Sequence, residues 1–243
     1  MRDYQAETEK RVEFIREVLR ESGARGVVFG NSGGKDASLT GILCKFACTD
    51  TLGLIMPCGS ERNLGDDFRD ATEVARQFQI ESRTVYLTVA TAALKYAVGE
   101  AAELTAAAAI NIAPRLRMAA LYAVAASEGR LVAGTGNRSE RYMGYFTKWG
   151  DGAFDFNPIA DLTVTEVYEF LKHLGAPREI IGKAPSAGLY EGQTDEGDMG
   201  VTYKSIDEFL FSGKCPDADM EIIARFHQAS GHKRSPPKVY ADR

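Results

Sequence analysis

The stretch GVVFGNSGGKDASLTGIL, residues 26–43, constrains the fold of this chain more than any other. An apolar run ends in glycine, serine, lysine and aspartate, and an apolar-periodic segment follows at once. Strand, glycine turn and helix in that order open a βα unit. Such a turn aims free backbone N–H groups and a helix N-terminus at an anion. A P-loop is excluded. That motif needs a wider glycine spacing and a Ser or Thr after its lysine, whereas here three residues separate Gly30 from Gly34 and Asp36 follows Lys35. A carboxylate beside a phosphate cradle repels the anion unless a divalent cation lies between them. Asp36 therefore reads as a magnesium ligand and the anion as a polyphosphate. Ordinary capping, with an Asp in the first turn of a helix, is the other reading of the same residues.

The rest of the chain repeats the alternation. Apolar β-type runs at 26–29, 51–56, 82–87 and 130–133 are separated by helical patterns at 37–47, 66–78 and an Ala-rich stretch from 91 to 126, with a further helix over 4–21 ended by Gly23. Strands spaced by helix-length segments predict a doubly wound α/β fold, a parallel sheet with helices on both faces. Sheets of this type bind ligands at the carboxyl ends of their strands. Beyond residue 134 the pattern changes. Helices fit 164–174, 205–211 and 218–229, forming a helical C-terminal segment, and APSAGLYEGQTDEGDMG at 184–200 has the length and composition of a lid. No repeat or linker divides the chain, so 1–243 is expected to be a single domain.

Composition matters mainly for what it excludes. A net charge of −5 with no long run of one sign gives no reason to expect nucleic acid. No uninterrupted apolar segment of membrane-spanning length occurs and the N-terminus lacks a signal-peptide core, so no membrane partner and a cytoplasmic location are expected. The cysteines include no C-x-x-C pair; Cys44 and Cys48 share a helix face, where packing is the plainer reading and a metal or redox pair the sharper one.

SGGKD resembles the SGGxDS pyrophosphate loop of the N-type ATP pyrophosphatases, which cleave ATP between its α and β phosphates. The resemblance implies that Gly30, Asn31, Ser32, Gly33, Gly34, Lys35, Asp36, Ala37 and Ser38 contact ATP. The family's Ser after Asp is Ala37 here, and Ser38 lies one place further round the helix.

Downstream, NIAPRLRMAALYAVA, GTGNRSERYMGYFTKWGDGAFDFNPIADL, KAPSAGLYEGQTDEGDMG and GHKR together resemble ammonia-dependent NAD synthetase, in one order from the first βαβ unit to the tail. That resemblance implies an adenine nucleotide alpha-hydrolase-like, Rossmann-like fold and a homodimer. It assigns Thr135 and Ser186 to ATP, and Glu140 to Mg²⁺ beside Asp36. Arg115, Lys148, Asp155, His232 and Lys233 go to deamido-NAD. Asp36, Glu140 and Lys148 are the implied catalytic set. Where the family usually has a lysine for the ATP phosphates this chain has Val164, the loss of an interaction of about 1.5–3 kcal/mol.

The implied reaction activates the nicotinate carboxylate of deamido-NAD with ATP and then admits ammonia, giving NAD, AMP and pyrophosphate; the lid would exclude water from the adenylate. A chain of 243 residues leaves no room for a glutaminase domain beside the ATP domain, so free ammonia or a delivering partner is the expected nitrogen source. Two other readings stand beside this one: an ATP pyrophosphatase with a different acceptor, and an ATP-binding sensor without chemistry.

Overall fold

The computed structural model describes residues 2–60, 64–186, 188 and 192–240. Helix α1, Tyr4–Ser22, starts on the side-chain cap of Asp3 and ends at left-handed Gly23. Strand β1, Gly26–Gly30, leads into α2, Lys35–Ala47; then come β2, Thr51–Ile55, α3, Asp66–Gln77, and β3, Glu81–Thr84. The sheet is completed by β4, Arg130–Ala133, and its order is β3-β2-β1-β4 with every pair parallel. A parallel sheet with β1 at its centre carries the strand ends to one edge, where the loop after β1 faces the loop after β4.

Both faces are covered because the central strand is apolar throughout. Val27 and Phe29 join one buried cluster with Ile15, Leu39, Ile42 and Leu43, while Val28 joins Leu52, Leu54 and Val132 on the other face. Alternate residues of a strand point to opposite faces, so one continuous apolar run feeds both layers. The Phe29 ring is seated over Gly41 of α2, where a methyl group would enter the ring. That close approach fixes the distance between β1 and α2, and with it the turn that joins them.

The expected Ala-rich helix over 91–126 is divided into α4, Thr88–Gly99, α5, Ala106–Ile110, and α6, Ile112–Glu128. Gly99 weakens the first piece, and Thr105 starts the second by accepting from the Ala108 N–H at 3.2 Å. Strand β3 closes at Thr84 instead of continuing to 87, although the Val85 and Leu87 N–H groups still donate to the carbonyls of Ile55 and Pro57, each at 2.9 Å. Pro57 has no N–H to return, so the ladder cannot run on regularly.

After β4 come α7, Arg138–Met143, α8, Val164–His173, α9, Arg178–Gly182, α10, Asp195–Met199, α11, Tyr203–Ser212, α12, Asp217–Ala229, and α13, Gly231–Arg234. The segment expected as a lid is therefore partly helical. Thr194 accepts from the Gly197 N–H at 3.2 Å and Gly200 takes a left-handed φ of 72°, the two ends of α10. Residues 187 and 189–191 of that segment, and 241–243 of the tail, lie outside the described residues. Cys44 is packed in the core, where burial raises its thiol above the usual range, and all four cysteines are free. No helix among the described residues is long and apolar enough to cross a membrane.

Candidate active site

A cavity of about 660 Å³ opens at the carboxyl edge of the sheet. The β1–α2 turn forms its floor. Gly30, Asn31, Ser32, Gly34, Lys35, Asp36 and Ala37 line it, with Thr135 at the end of β4 and Glu140 on α7 across from them. Ser186 and Lys233 complete the sequence-predicted residues on its wall. Gly33 supports the turn from behind: its φ is +69°, and a side chain there would meet the Ala71 N at 2.9 Å. Only glycine fits that left-handed position. Ser38 is fully buried, its hydroxyl has no partner and it is not on the cavity wall, so it does not supply the hydroxyl that Ala37 lacks.

Asp36 and Glu140 come from helices more than 100 residues apart in sequence and meet through Lys35 and Asn137. The Lys35 Nζ donates to Asp36 Oδ2 at 2.6 Å and to Glu140 Oε1 at 3.4 Å. Asn137 donates its side-chain Nδ2 to Asp36 Oδ1 at 3.0 Å and its backbone N–H to Glu140 Oε2 at 3.3 Å, while its Oδ1 accepts from the Glu140 N–H at 2.9 Å. The last two bonds are a capping box, so the start of α7 orients the very carboxylate that faces the glycine turn. Burial, and then the Asp36 carboxylate, push the Glu140 carboxyl up to about 8 against the opposing pull of Lys35. Burial disfavours the charged Lys35, but Asp36 and Glu140 outweigh it and raise that ammonium above its usual range.

These donors suit a hard divalent cation. The site already draws a cation, Lys35, between two carboxylates, and its donors are oxygens. Among the described residues no group of three or more His, Cys, Asp or Glu side chains converges as a metal site. A Mg²⁺ ion on Asp36 and Glu140 would take its remaining oxygens from phosphate and water.

The residues assigned to the dinucleotide are spread differently. Lys233 donates to the carbonyls of Gly144 at 2.8 Å and Phe146 at 2.7 Å, and burial lowers its ammonium pKa. Lys148 donates to the His232 carbonyl at 2.7 Å, outside the cavity wall. Asp155 accepts from the Val132 N–H at 2.7 Å and from the Tyr122 hydroxyl at 3.2 Å, which ties it to the edge of β4. Arg115, Asp155 and His232 are exposed and do not line the cavity.

Three residues that sequence reasoning did not single out belong to the wall or its supports. Asn137 is one, legible in principle as the N-x-x-E capping box just after β4. Asp195 lines the cavity and accepts from the buried Tyr203 hydroxyl at 3.0 Å. Lys183 lines it too and donates to Asp67 at 2.8 Å and Asp70 at 2.6 Å, contacts that no local pattern announces.

Residues 7–237 match the NAD synthase family. A curated NH(3)-dependent NAD(+) synthetase from Carboxydothermus hydrogenoformans is 46% identical over 242 residues, 98% of each chain. The chain belongs to the NAD synthase family. Among solved structures, an NMN synthetase from Francisella tularensis superposes with a TM-score of 0.92 at 36% identity, covering 99% of each chain. An NH3-dependent NAD synthetase from Campylobacter jejuni superposes at 0.79 with 30% identity, covering 99% of this chain and 100% of that one. Val164, where the resemblance leads one to expect a lysine, is 3% exposed and belongs to the apolar cluster of Met199, Tyr203 and Ile206.

Proposed function

We propose that this NAD synthase amidates deamido-NAD with free ammonia at the expense of ATP, releasing AMP and pyrophosphate. The observation that carries the reading is the Asp36–Glu140 pair facing the glycine turn, in a chain matched to the family over residues 7–237. The N–H groups of the turn and the N-terminus of α2 hold the β and γ phosphates, with Ser32 beside them. Mg²⁺ on Asp36 and Glu140, when bound, neutralises charge on the phosphates. The nicotinate carboxylate attacks the α-phosphorus, the bond to the β-phosphate breaks, and pyrophosphate leaves. Ammonia then adds to the acyl-adenylate carbonyl and AMP departs with the bridging oxygen. The chain contributes position and electrostatics and supplies no nucleophile of its own.

Thr135 and Ser186 contact ATP on this reading, while Arg115, Lys148, Asp155, His232 and Lys233 serve the dinucleotide. Several of these stand outside the single-chain cavity, which supports a site completed by a second copy. Helix α4 supports the same arrangement: Thr91 is its one buried residue, while Val89 is 81% exposed and Tyr96 72% exposed. An apolar helix left so bare fits a homodimer interface. Residues 1–243 act as one domain, in the cytoplasm.

The likeness to the NMN synthetase, at 36% identity and a TM-score of 0.92, is the basis of a second reading in which the acid amidated is nicotinate mononucleotide. A product assay with ATP, Mg²⁺ and ammonium, run with each acid in turn, separates them. A larger kcat/KM for the dinucleotide supports the first reading, and a larger value for the mononucleotide supports the second. AMP formed with neither amide would overturn both.

A further inference from the structure

Lys35 is placed unusually for a residue of a phosphate-binding turn. It is 7% exposed, and on the cavity wall its ammonium is already paired with carboxylates. Asn137 occupies one oxygen of each carboxylate, Asp36 Oδ1 and Glu140 Oε2. The oxygens left over, Asp36 Oδ2 and Glu140 Oε1, are the two that Lys35 holds. The Tyr203 ring, 5.6 Å from Nζ, closes the cage from another side. An ammonium therefore sits where a divalent ion bridging the same carboxylates would have to bind. A second cation at that distance is repelled.

We propose that Lys35 is a tethered cation that holds Asp36 and Glu140 together in the nucleotide-free enzyme and yields to the divalent metal only when a polyphosphate arrives to take its ammonium. This rests on the ATP-binding reading given above. The exchange conserves pairing on both sides. The carboxylates pass from a monovalent to a divalent partner, and Lys35, already on the cavity wall, passes from carboxylate to phosphate. It also supplies a cation to a polyphosphate that receives none from Val164, which is buried among apolar side chains. Metal and nucleotide would then bind as a unit, and the metal alone poorly.

The test is the thermal midpoint of the full-length protein with Mg²⁺ alone, and with Mg²⁺ plus inorganic pyrophosphate, for the native chain, K35Q and K35R. Native protein and K35R are expected to ignore Mg²⁺ alone and to rise with Mg²⁺ and pyrophosphate together. K35Q is expected to start lower and to rise with Mg²⁺ alone, with an affinity about tenfold or more above native. A K35Q protein that folds and gains no response to Mg²⁺ overturns the proposal. If K35Q does not fold, the native protein decides: a rise with Mg²⁺ alone equal to that with pyrophosphate present also overturns it. The outcome is separable from the reaction itself. A native enzyme that amidates the dinucleotide while K35Q gains nothing refutes only the exchange, and a K35Q that gains Mg²⁺ binding in a protein that never amidates refutes only the ligase reading.

Discussion

Asp36 and Glu140 share one ammonium, that of Lys35, at 2.6 and 3.4 Å, and that imbalance has measurable consequences. Asp36→Asn or Glu140→Gln is expected to lower kcat by about 10²-fold or more, as removal of a preorganised electrostatic group does. Steady-state assays of AMP release check this. The Glu140 carboxyl, pushed up from 4.5 to about 8, also gives a signed effect on stability. Its folded pKa is raised, so the folded protein keeps a proton that the unfolded chain gives up, and stability falls as pH rises from about 4.5 to about 8. Denaturant titrations of metal-free protein across that range are expected to show the decline for the native chain and to lose it in Glu140→Gln. At this scale the sequence was partly legible. Asp36 stands out because a carboxylate in a phosphate turn needs a reason, whereas Lys183 with Asp67 and Asp70, or Asp195 with Tyr203, are pairings made only by folding.

The elements set where those residues stand. Asn137 is at once the cap of α7 and the shared partner of both carboxylates. Asn137→Ala is expected to cost about 0.5–2 kcal/mol of stability as a lost cap, and to lower activity besides; denaturation midpoints and kcat, measured on one preparation, check the pair of effects. Gly41→Ala pushes a methyl into the Phe29 ring and is expected to destabilise by about 1–3 kcal/mol. Hydrophobic periodicity marked β1, α2 and α8 within a residue or two, because each carries a long apolar stripe with a clear stop. It failed across 91–126, where uniformly Ala-rich sequence conceals breaks that depend on Gly99 and on the Thr105 cap. It also missed α10 inside the expected lid, a helix too short to show a period.

In the whole molecule, the parallel sheet order brings β1 and β4 side by side, and so joins a turn near residue 35 to a helix near residue 140. That topology is what turns two distant sequence motifs into one cavity. The exposed apolar face of α4 belongs to the same scale: a homodimer is expected in sedimentation equilibrium, and Val89→Glu together with Tyr96→Glu is expected to shift it toward monomer. In the proposed reaction the acid substrate is adenylated at the α-phosphate that the glycine turn presents. Deamido-NAD labelled with ¹⁸O in its nicotinate carboxylate tests it most directly, with the label followed into the products by mass spectrometry. One ¹⁸O is expected in the phosphate of AMP for each NAD formed. Label found in pyrophosphate or orthophosphate, with none in AMP, would contradict it.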